Sequence, residues 1–238
     1  MAQLKAVIFG AIGTIAETSD LQRQAFNTAF QVAGLDWNWE IETYRDLLKI
    51  NGGQNRLRVY RDRDSSRVDV TDAKIIDLHQ AKTDAYTSLL RNPLSPRPGV
   101  VELIDTCRDH GILVALCTST AMANVDGLRS ALAESLPFDR FATIVTIDRL
   151  DRPKPAPDAY IYCLNQLGIT ADEAVAIEDT SVSLAAATTI GIKTIATPGA
   201  TTSTQDFAAA DLVLPDLTGI NIQNLSTLLN LKIPAYTS

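Results

Sequence analysis

Six short apolar runs punctuate the chain, at positions 4–9, 112–117, 143–146, 174–177, 193–196 and 211–214. None alternates apolar with polar residues, and helix-like stretches separate them. Each is therefore expected to be a strand of a parallel sheet buried on both faces. The helices carry their own punctuation: Asp20 is expected to cap a helix that Gly34 ends, and Gly99 and Gly111 bracket another. Thr170 to Glu173 reads as a capping box that opens only a short turn. Between Thr18 and Pro93 no strand pattern occurs, only amphipathic helical pattern broken at Gly34-Leu35-Asp36 and Gly52-Gly53. A βα crossover needs far fewer residues, so 18–93 is expected to form a helical cap inserted into a core made of 1–17 and 94–238. Pro93, Pro96 and Pro98 mark the return hinge. The expected fold is α/β, a doubly wound parallel sheet with an inserted α-helical cap.

At 238 residues and 46% hydrophobic, the chain is long enough to bury a large core. A formal net charge of -7 disfavours nucleic acid or an anionic membrane as a partner. No apolar run approaches the length of a membrane span and no charged-then-apolar leader opens the sequence, so a cytoplasmic location is expected. Cys107, Cys117 and Cys163 sit in apolar or helical runs and read as reduced core cysteines. Arg56, Arg58, Arg61, Arg63 and Arg67 interleave with Asp62, Asp64 and Asp69. The favoured reading is a salt-bridged surface, with one or two arginines, Arg56 foremost, left to face an anionic ligand. His79 and His110 fit no metal or triad pattern and read as ordinary helix residues.

Four segments at strand ends carry candidate chemistry, and the carboxyl edge of a parallel sheet is where ligands bind. The first is Gly10-Ala11-Ile12-Gly13-Thr14, a glycine-threonine turn after the first strand. The second is Thr118-Ser119-Thr120, hydroxyls that follow a strand and precede a helix, suited to phosphate oxygens. The third holds Lys154 between Pro153 and Pro155; the fourth is the acidic pair Glu178-Asp179 at a strand end, suited to a hard divalent cation. Taken singly these are an N-cap, a solvated lysine and a helix-dipole pair. Gly10, Gly13 and Ala16 also permit a dinucleotide-turn reading, but no second strand with a terminal acid follows the first helix.

The order strand-threonine, lysine-proline, strand-glutamate-aspartate resembles the second, third and fourth motifs of the haloacid dehalogenase superfamily, over almost the whole chain. Ala16-Glu17-Thr18, Arg23-Gln24-Ala25-Phe26-Asn27, Ala33-Gly34-Leu35-Asp36-Trp37, Tyr44-Arg45-Asp46-Leu47-Leu48, Gly52-Gly53 and Arg97-Pro98-Gly99 resemble its CbbY and β-phosphoglucomutase-like group of sugar-phosphate phosphatases. That family's first motif is Asp-x-Asp-Gly-Thr. Here Gly10 and Ile12 stand at the two aspartate positions, while Gly13 and Thr14 match.

The resemblance implies a mechanism in which the first aspartate attacks phosphorus, the second moves the proton, and Mg²⁺ bound with the fourth-motif carboxylates neutralises charge. Neither Gly10 nor Ile12 can fill those roles, so a catalytically impaired pseudophosphatase is expected, with Mg²⁺ binding at Glu178 and Asp179 weakened. The alternative is an active Mg²⁺-dependent phosphohydrolase in which Glu17, placed by the resemblance at the substrate, assists water attack. What remains by the same resemblance is phosphate recognition by the amides around Ala11 and Gly13, the hydroxyls of Thr118 and Ser119, and Lys154, with Glu17 and Arg56 on the substrate side. The expected ligand is inorganic phosphate or a phosphorylated small molecule, with a protein partner as the other class left open.

Overall fold

The computed structural model describes residues 2–50, 52–67 and 69–234. Six parallel strands form one sheet: β1 (Ala6–Phe9), β2 (Leu113–Cys117), β3 (Thr143–Val145), β4 (Ala174–Glu178), β5 (Lys193–Ala196) and β6 (Leu212–Val213). Their order is β3-β2-β1-β4-β5-β6, so the sheet winds outward in both directions from the first strand. All six coincide with the apolar runs, because strands covered on both faces cannot alternate. Phe9 at the end of β1 pairs with Leu116 of β2 and Ile177 of β4, so the residues that follow emerge side by side at the carboxyl edge.

Helices α1 (Ser19–Val32), α2 (Ile41–Leu47), α3 (Gly53–Asp62) and α4 (Asp72–Leu89) lie between β1 and β2 in sequence. They enclose an apolar cluster of their own, with Phe26, Phe30, Trp37, Trp39, Tyr44 and Tyr60 at its centre. Trp39 packs at 4.3 Å from the Phe26 ring and edge-on at 5.2 Å from Phe30. Helices α5 (Val100–Asp109), α6 (Met122–Ala131), α7 (Asp158–Leu167), α8 (Ser181–Thr188) and α9 (Ile222–Leu229) cover the sheet, which has a separate apolar cluster on each face.

Two local expectations differ in detail. Thr18, not Asp20, holds the N-cap position of α1; Asp20 lies in the first turn, and the Ser19 amide is held by Glu17 Oε1 at 2.9 Å. Asp20 instead accepts from Arg23 and Gln24 one turn on, a use of the side chain that competes with capping. The Thr170 to Glu173 capping box is present and opens a single 3-10 turn before β4. Gly99 has φ of +81° and lies against the Leu217 backbone, so neither a left-handed penalty nor a Cβ is tolerated there.

Arg97, next to that glycine, donates to the carbonyls of Gly13 (2.6 Å), Thr197 (2.5 Å), Pro198 (3.2 Å) and Pro215 (3.0 Å). One guanidinium thus ties the loop after β1 to the loops after β5 and β6. Among the described residues no helix is long and apolar enough to cross a membrane.

Candidate active site

A cavity of about 420 Å³ lies between the carboxyl edge of the sheet and the helical insertion. Its floor comes from the ends of the three central strands: Gly10 to Ile12 after β1, Thr118 and Ser119 after β2, and Glu178 and Asp179 at the end of β4, with Lys154 between them. Its roof comes from α1, α3 and α4 and includes Gln22, Phe26, Arg56, His79 and Lys82.

The floor is organised around one buried ion pair. Lys154 Nζ, 1% exposed, donates to Glu178 Oε1, to the Cys117 carbonyl at 2.9 Å and to the Tyr160 hydroxyl at 3.3 Å. Tyr160 in turn donates to Glu178 Oε1 at 2.5 Å. Burial opposes the charge on Lys154, yet the Glu178 carboxylate beside it holds the ammonium above its ordinary pKa. Burial and the same carboxylate push the Tyr160 hydroxyl well above the usual phenol value, so it stays a proton donor.

Glu178 also explains what fills the space left at position 10. A Cβ built on Gly10 would lie 2.5 Å from Glu178 Oε2 and 2.6 Å from Thr14 Oγ1. A side chain at position 10 would therefore meet the Glu178 carboxylate and the Thr14 hydroxyl, one of which would have to shift.

Asp179 is buried behind it, accepting from the Thr14 hydroxyl at 3.1 Å. Burial, then the charges of Glu178 and Glu17, push its pKa up to about 7 against the pull of Thr14 and Arg97. The remaining floor donors are partly committed to the protein. Gly13 N–H donates to the Ala16 carbonyl at 2.9 Å; the Thr118 hydroxyl accepts from Thr120 N–H at 3.2 Å; the Ser119 hydroxyl accepts from Lys154 N–H at 3.0 Å. Ala11 lines the cavity, whereas Glu17 is exposed and lies against Gly199, outside the lining.

These residues suit Mg²⁺ poorly. Glu178 is held by an ammonium, Gly10 offers no carboxylate, and among the described residues no group of three or more His, Cys, Asp or Glu side chains is arranged around a metal position.

The roof has the opposite character. Lys82, 4% exposed, lies over the Phe26 ring at 5.2 Å and the Tyr86 ring at 5.0 Å; no carboxylate or hydrogen-bond acceptor among the described residues pairs with it. Burial and then Arg56 lower its pKa from 10.5 to about 7. Burial, Lys82 and Arg56 lower His79 to about 4, so the imidazole is neutral. Arg56 lines the cavity with its Nε donating to the carbonyls of Leu47 (3.1 Å) and Ile50 (2.8 Å), while Arg58, Arg61, Arg63 and Arg67 form surface ion pairs with Asp72, Asp62, Asp46 and Asp64. Among the described residues Asn124 Oδ1, on a side chain 4% exposed, has no hydrogen-bond partner, while the Gln22 amide, 3% exposed, sits beside the Tyr86 hydroxyl.

His79 lies in α4, as expected, and lines the cavity, as do Gln22, Lys82 and Asn124, which belong to no motif. A subtler signal existed. Lys82 sits in the buried stripe Ile75, Leu78, Lys82, Tyr86 of α4, and Gln22 in the stripe Gln22, Ala25, Phe26, Ala29, Phe30 of α1. A long polar side chain at a core-facing helical position is the pattern to look for.

Comparison with known proteins agrees with this architecture. Residues 7–197 match the haloacid dehalogenase-like hydrolase family. The chain is 40% identical over 227 residues to protein CbbY of Rhodobacter capsulatus, spanning 95% of this chain and 99% of that one, and 38% identical to a plasmid-borne CbbY of Cupriavidus necator over 90% and 86%. The crystal structure of CbbY from Rhodobacter sphaeroides in complex with phosphate superposes with a TM-score of 0.86 at 33% identity, covering 94% of this chain and all of that one. A mutant of the same protein, in complex with xylulose-(1,5)bisphosphate, superposes equally well. The strand order, the helical insertion and this level of identity over nearly the full length lead to one conclusion: the chain belongs to the haloacid dehalogenase-like hydrolases, within the CbbY family.

Proposed function

We propose that this chain binds a phosphorylated sugar in the cavity beneath its helical cap and does not hydrolyse it by the aspartyl-phosphate route. The observation that carries this reading is the floor itself. Gly10 has no nucleophile, Ile12 has no proton to give, and the carboxylate in the vacated space, Glu178, is tied to Lys154 and Tyr160. Covalent phosphoryl transfer needs an unencumbered carboxylate in line with phosphorus and an acid beside the leaving oxygen. Loss of a nucleophile in well-studied triads removes about 10⁴ to 10⁶ in turnover.

The relatives support the ligand class, because the Rhodobacter sphaeroides protein was crystallised with phosphate and with a ketose bisphosphate. The cap supports it too: Arg56 and Lys82 give a cationic roof over a cavity large enough for a small phosphorylated metabolite. The alternative of water attack assisted by Glu17 loses ground on position, since Glu17 holds the Ser19 amide and does not line the cavity. The donor set likewise favours ligand binding without Mg²⁺.

The test pairs binding with turnover. Titration calorimetry of the protein with sugar phosphates is expected to give saturable binding, unchanged by EDTA. Phosphate release from the same compounds is expected to stay at the level of a protein-free blank. Mg²⁺-dependent release that an Asp179→Ala change abolishes would overturn the reading.

A further inference from the structure

Two buried lysines line the cavity, and their surroundings set them apart. Lys154 is held as an ammonium by Glu178, with the Tyr160 hydroxyl and the Cys117 carbonyl beside it. Lys82 has no such company. Among the described residues its nitrogen meets no carboxylate and no hydrogen-bond acceptor, and it rests over the faces of Phe26 and Tyr86. The charge that acts on it is a like one, the guanidinium of Arg56 in α3. His79, one turn earlier on α4, feels both cations and is itself neutral, and all three side chains line the cavity. Arg56 commits its Nε to the Leu47 and Ile50 carbonyls, while its two terminal nitrogens carry no hydrogen bond among the described residues.

Desolvation beside a second cation is the setting that takes the proton from a lysine and makes its amine a nucleophile at neutral pH. With a pKa of about 7, half of Lys82 is free amine at pH 7, on the order of a thousandfold more than for an ordinary lysine. The electrophile that suits this wall is small, uncharged and apolar enough to pass between rings. Its addition product should also be an anion, because the neighbouring charge is a guanidinium with unused donors in the fork geometry that matches a carboxylate. Carbon dioxide meets both conditions.

We infer that Lys82 is a carbamylation site, at which the free amine adds carbon dioxide and the resulting carbamate is held by the terminal nitrogens of Arg56. The nitrogen lone pair attacks the carbon, a C–N bond forms, and the electrons of one C=O π bond pass to oxygen. The nitrogen then releases one proton to solvent. Amine and carbon dioxide thus give carbamate and a proton, with nothing oxidised or reduced. The repulsion between Lys82 and Arg56 becomes an ion pair, and the buried unpaired cation is removed. Lys154 is closed to this reaction, since Glu178 keeps it protonated. Lys5, Lys49 and Lys193 are paired with surface carboxylates, which favour their charged form too. The inference is independent of the ligand proposed above.

The experiment is ¹³C NMR of the full chain near neutral pH with ¹³C-labelled bicarbonate, which supplies dissolved carbon dioxide. Alkylation of the carbamate with a trialkyloxonium salt and peptide mass spectrometry then locate it. The expected result is a carbamate carbonyl signal and a trapped mass on Lys82, both lost in Lys82→Met and in Lys82→Arg. The α-amine, with an ordinary pKa of about 8, also adds carbon dioxide, so its signal should persist in both variants and serve as the internal reference. Arg56→Gln should weaken carbamate formation at Lys82 by about tenfold to a hundredfold, the range of a charge-assisted hydrogen bond, while Arg56→Lys keeps most of it. A natural protein whose signal matches that of Lys82→Arg would overturn the inference, as would a trapped mass spread evenly over Lys5, Lys49 and Lys193. A Lys82 carbamate that survives Arg56→Gln undiminished would overturn the assigned role of Arg56.

Discussion

Replacing Lys82 with methionine should make the protein more stable and less able to bind its ligand. The ammonium is 4% exposed, its neighbours are two rings, a neutral imidazole and the Arg56 charge, and its pKa falls from the ordinary 10.5 to about 7. Each tenfold change in proton affinity corresponds to about 1.4 kcal/mol, so holding this group in the folded chain at neutral pH costs on the order of 4 kcal/mol. Methionine has a similar reach and packs well against rings. The expected gain is about 2 to 4 kcal/mol, which in a chain of this size raises Tm by roughly 5 to 10 °C. The pH dependence separates this cause from generic repacking. Because the folded pKa lies below the unfolded one, the unfolded chain binds more protons between about pH 7 and 10.5. The stability of the natural protein should therefore rise with pH across that window, and that contribution should vanish in Lys82→Met. Thermal melts of both proteins between pH 7 and 10, read by circular dichroism, measure it. A Lys82→Met protein that melts lower than the natural one, or with the same pH dependence, would refute the argument that the cation is held unpaired.

Three other outcomes follow from the same geometry. Lys154→Met alone should cost about 3 to 5 kcal/mol by leaving Glu178 buried without its counter-charge, and Lys154→Met/Glu178→Gln should recover most of it in denaturant titrations. Binding of a phosphate ester at pH 8 should take up a fraction of a proton as the anion restores the charge of Lys82, detectable as buffer-dependent heat in calorimetry. The double change Gly10→Asp/Ile12→Asp should generate Mg²⁺-dependent phosphate release, provided the Glu178 and Thr14 side chains shift away from the new Cβ at position 10; an absence of release together with unchanged Mg²⁺ affinity would show that Glu178 does not yield.

The sheet was readable because its strands are buried on both faces, so the runs from Leu4 to Phe9 and from Lys193 to Ala196 are apolar without alternation. The insertion was readable because some seventy residues without strand pattern exceed any crossover. The identity of the α1 cap was not, since Thr18, Ser19 and Asp20 are all good capping residues and only the geometry chooses among them. At the site, motif order brought Gly10, Thr118, Lys154, Glu178 and Asp179 to one edge, where the structure places them. Their pairing was not legible. That Glu178 spans from β4 into the space beside Gly10, and so occupies Lys154, depends on three strand ends lying side by side. Glu17, a carboxylate near the loop in sequence, accepts from the Ser19 amide of its own helix, a contact no motif foretold. The cap residues Gln22, His79 and Lys82 belong to no motif, and the long polar side chains at core-facing positions of α1 and α4, Gln22 and Lys82, were the visible traces of them.

The central claim is that the motif-one floor has been rebuilt as a closed ion pair that no longer supports phosphoryl transfer. The most direct measurement is release of inorganic phosphate from a panel of sugar mono- and bisphosphates by the natural protein with Mg²⁺, run beside Asp179→Ala. The account predicts no release above the blank in either protein. Turnover by the natural protein that Asp179→Ala removes would contradict it.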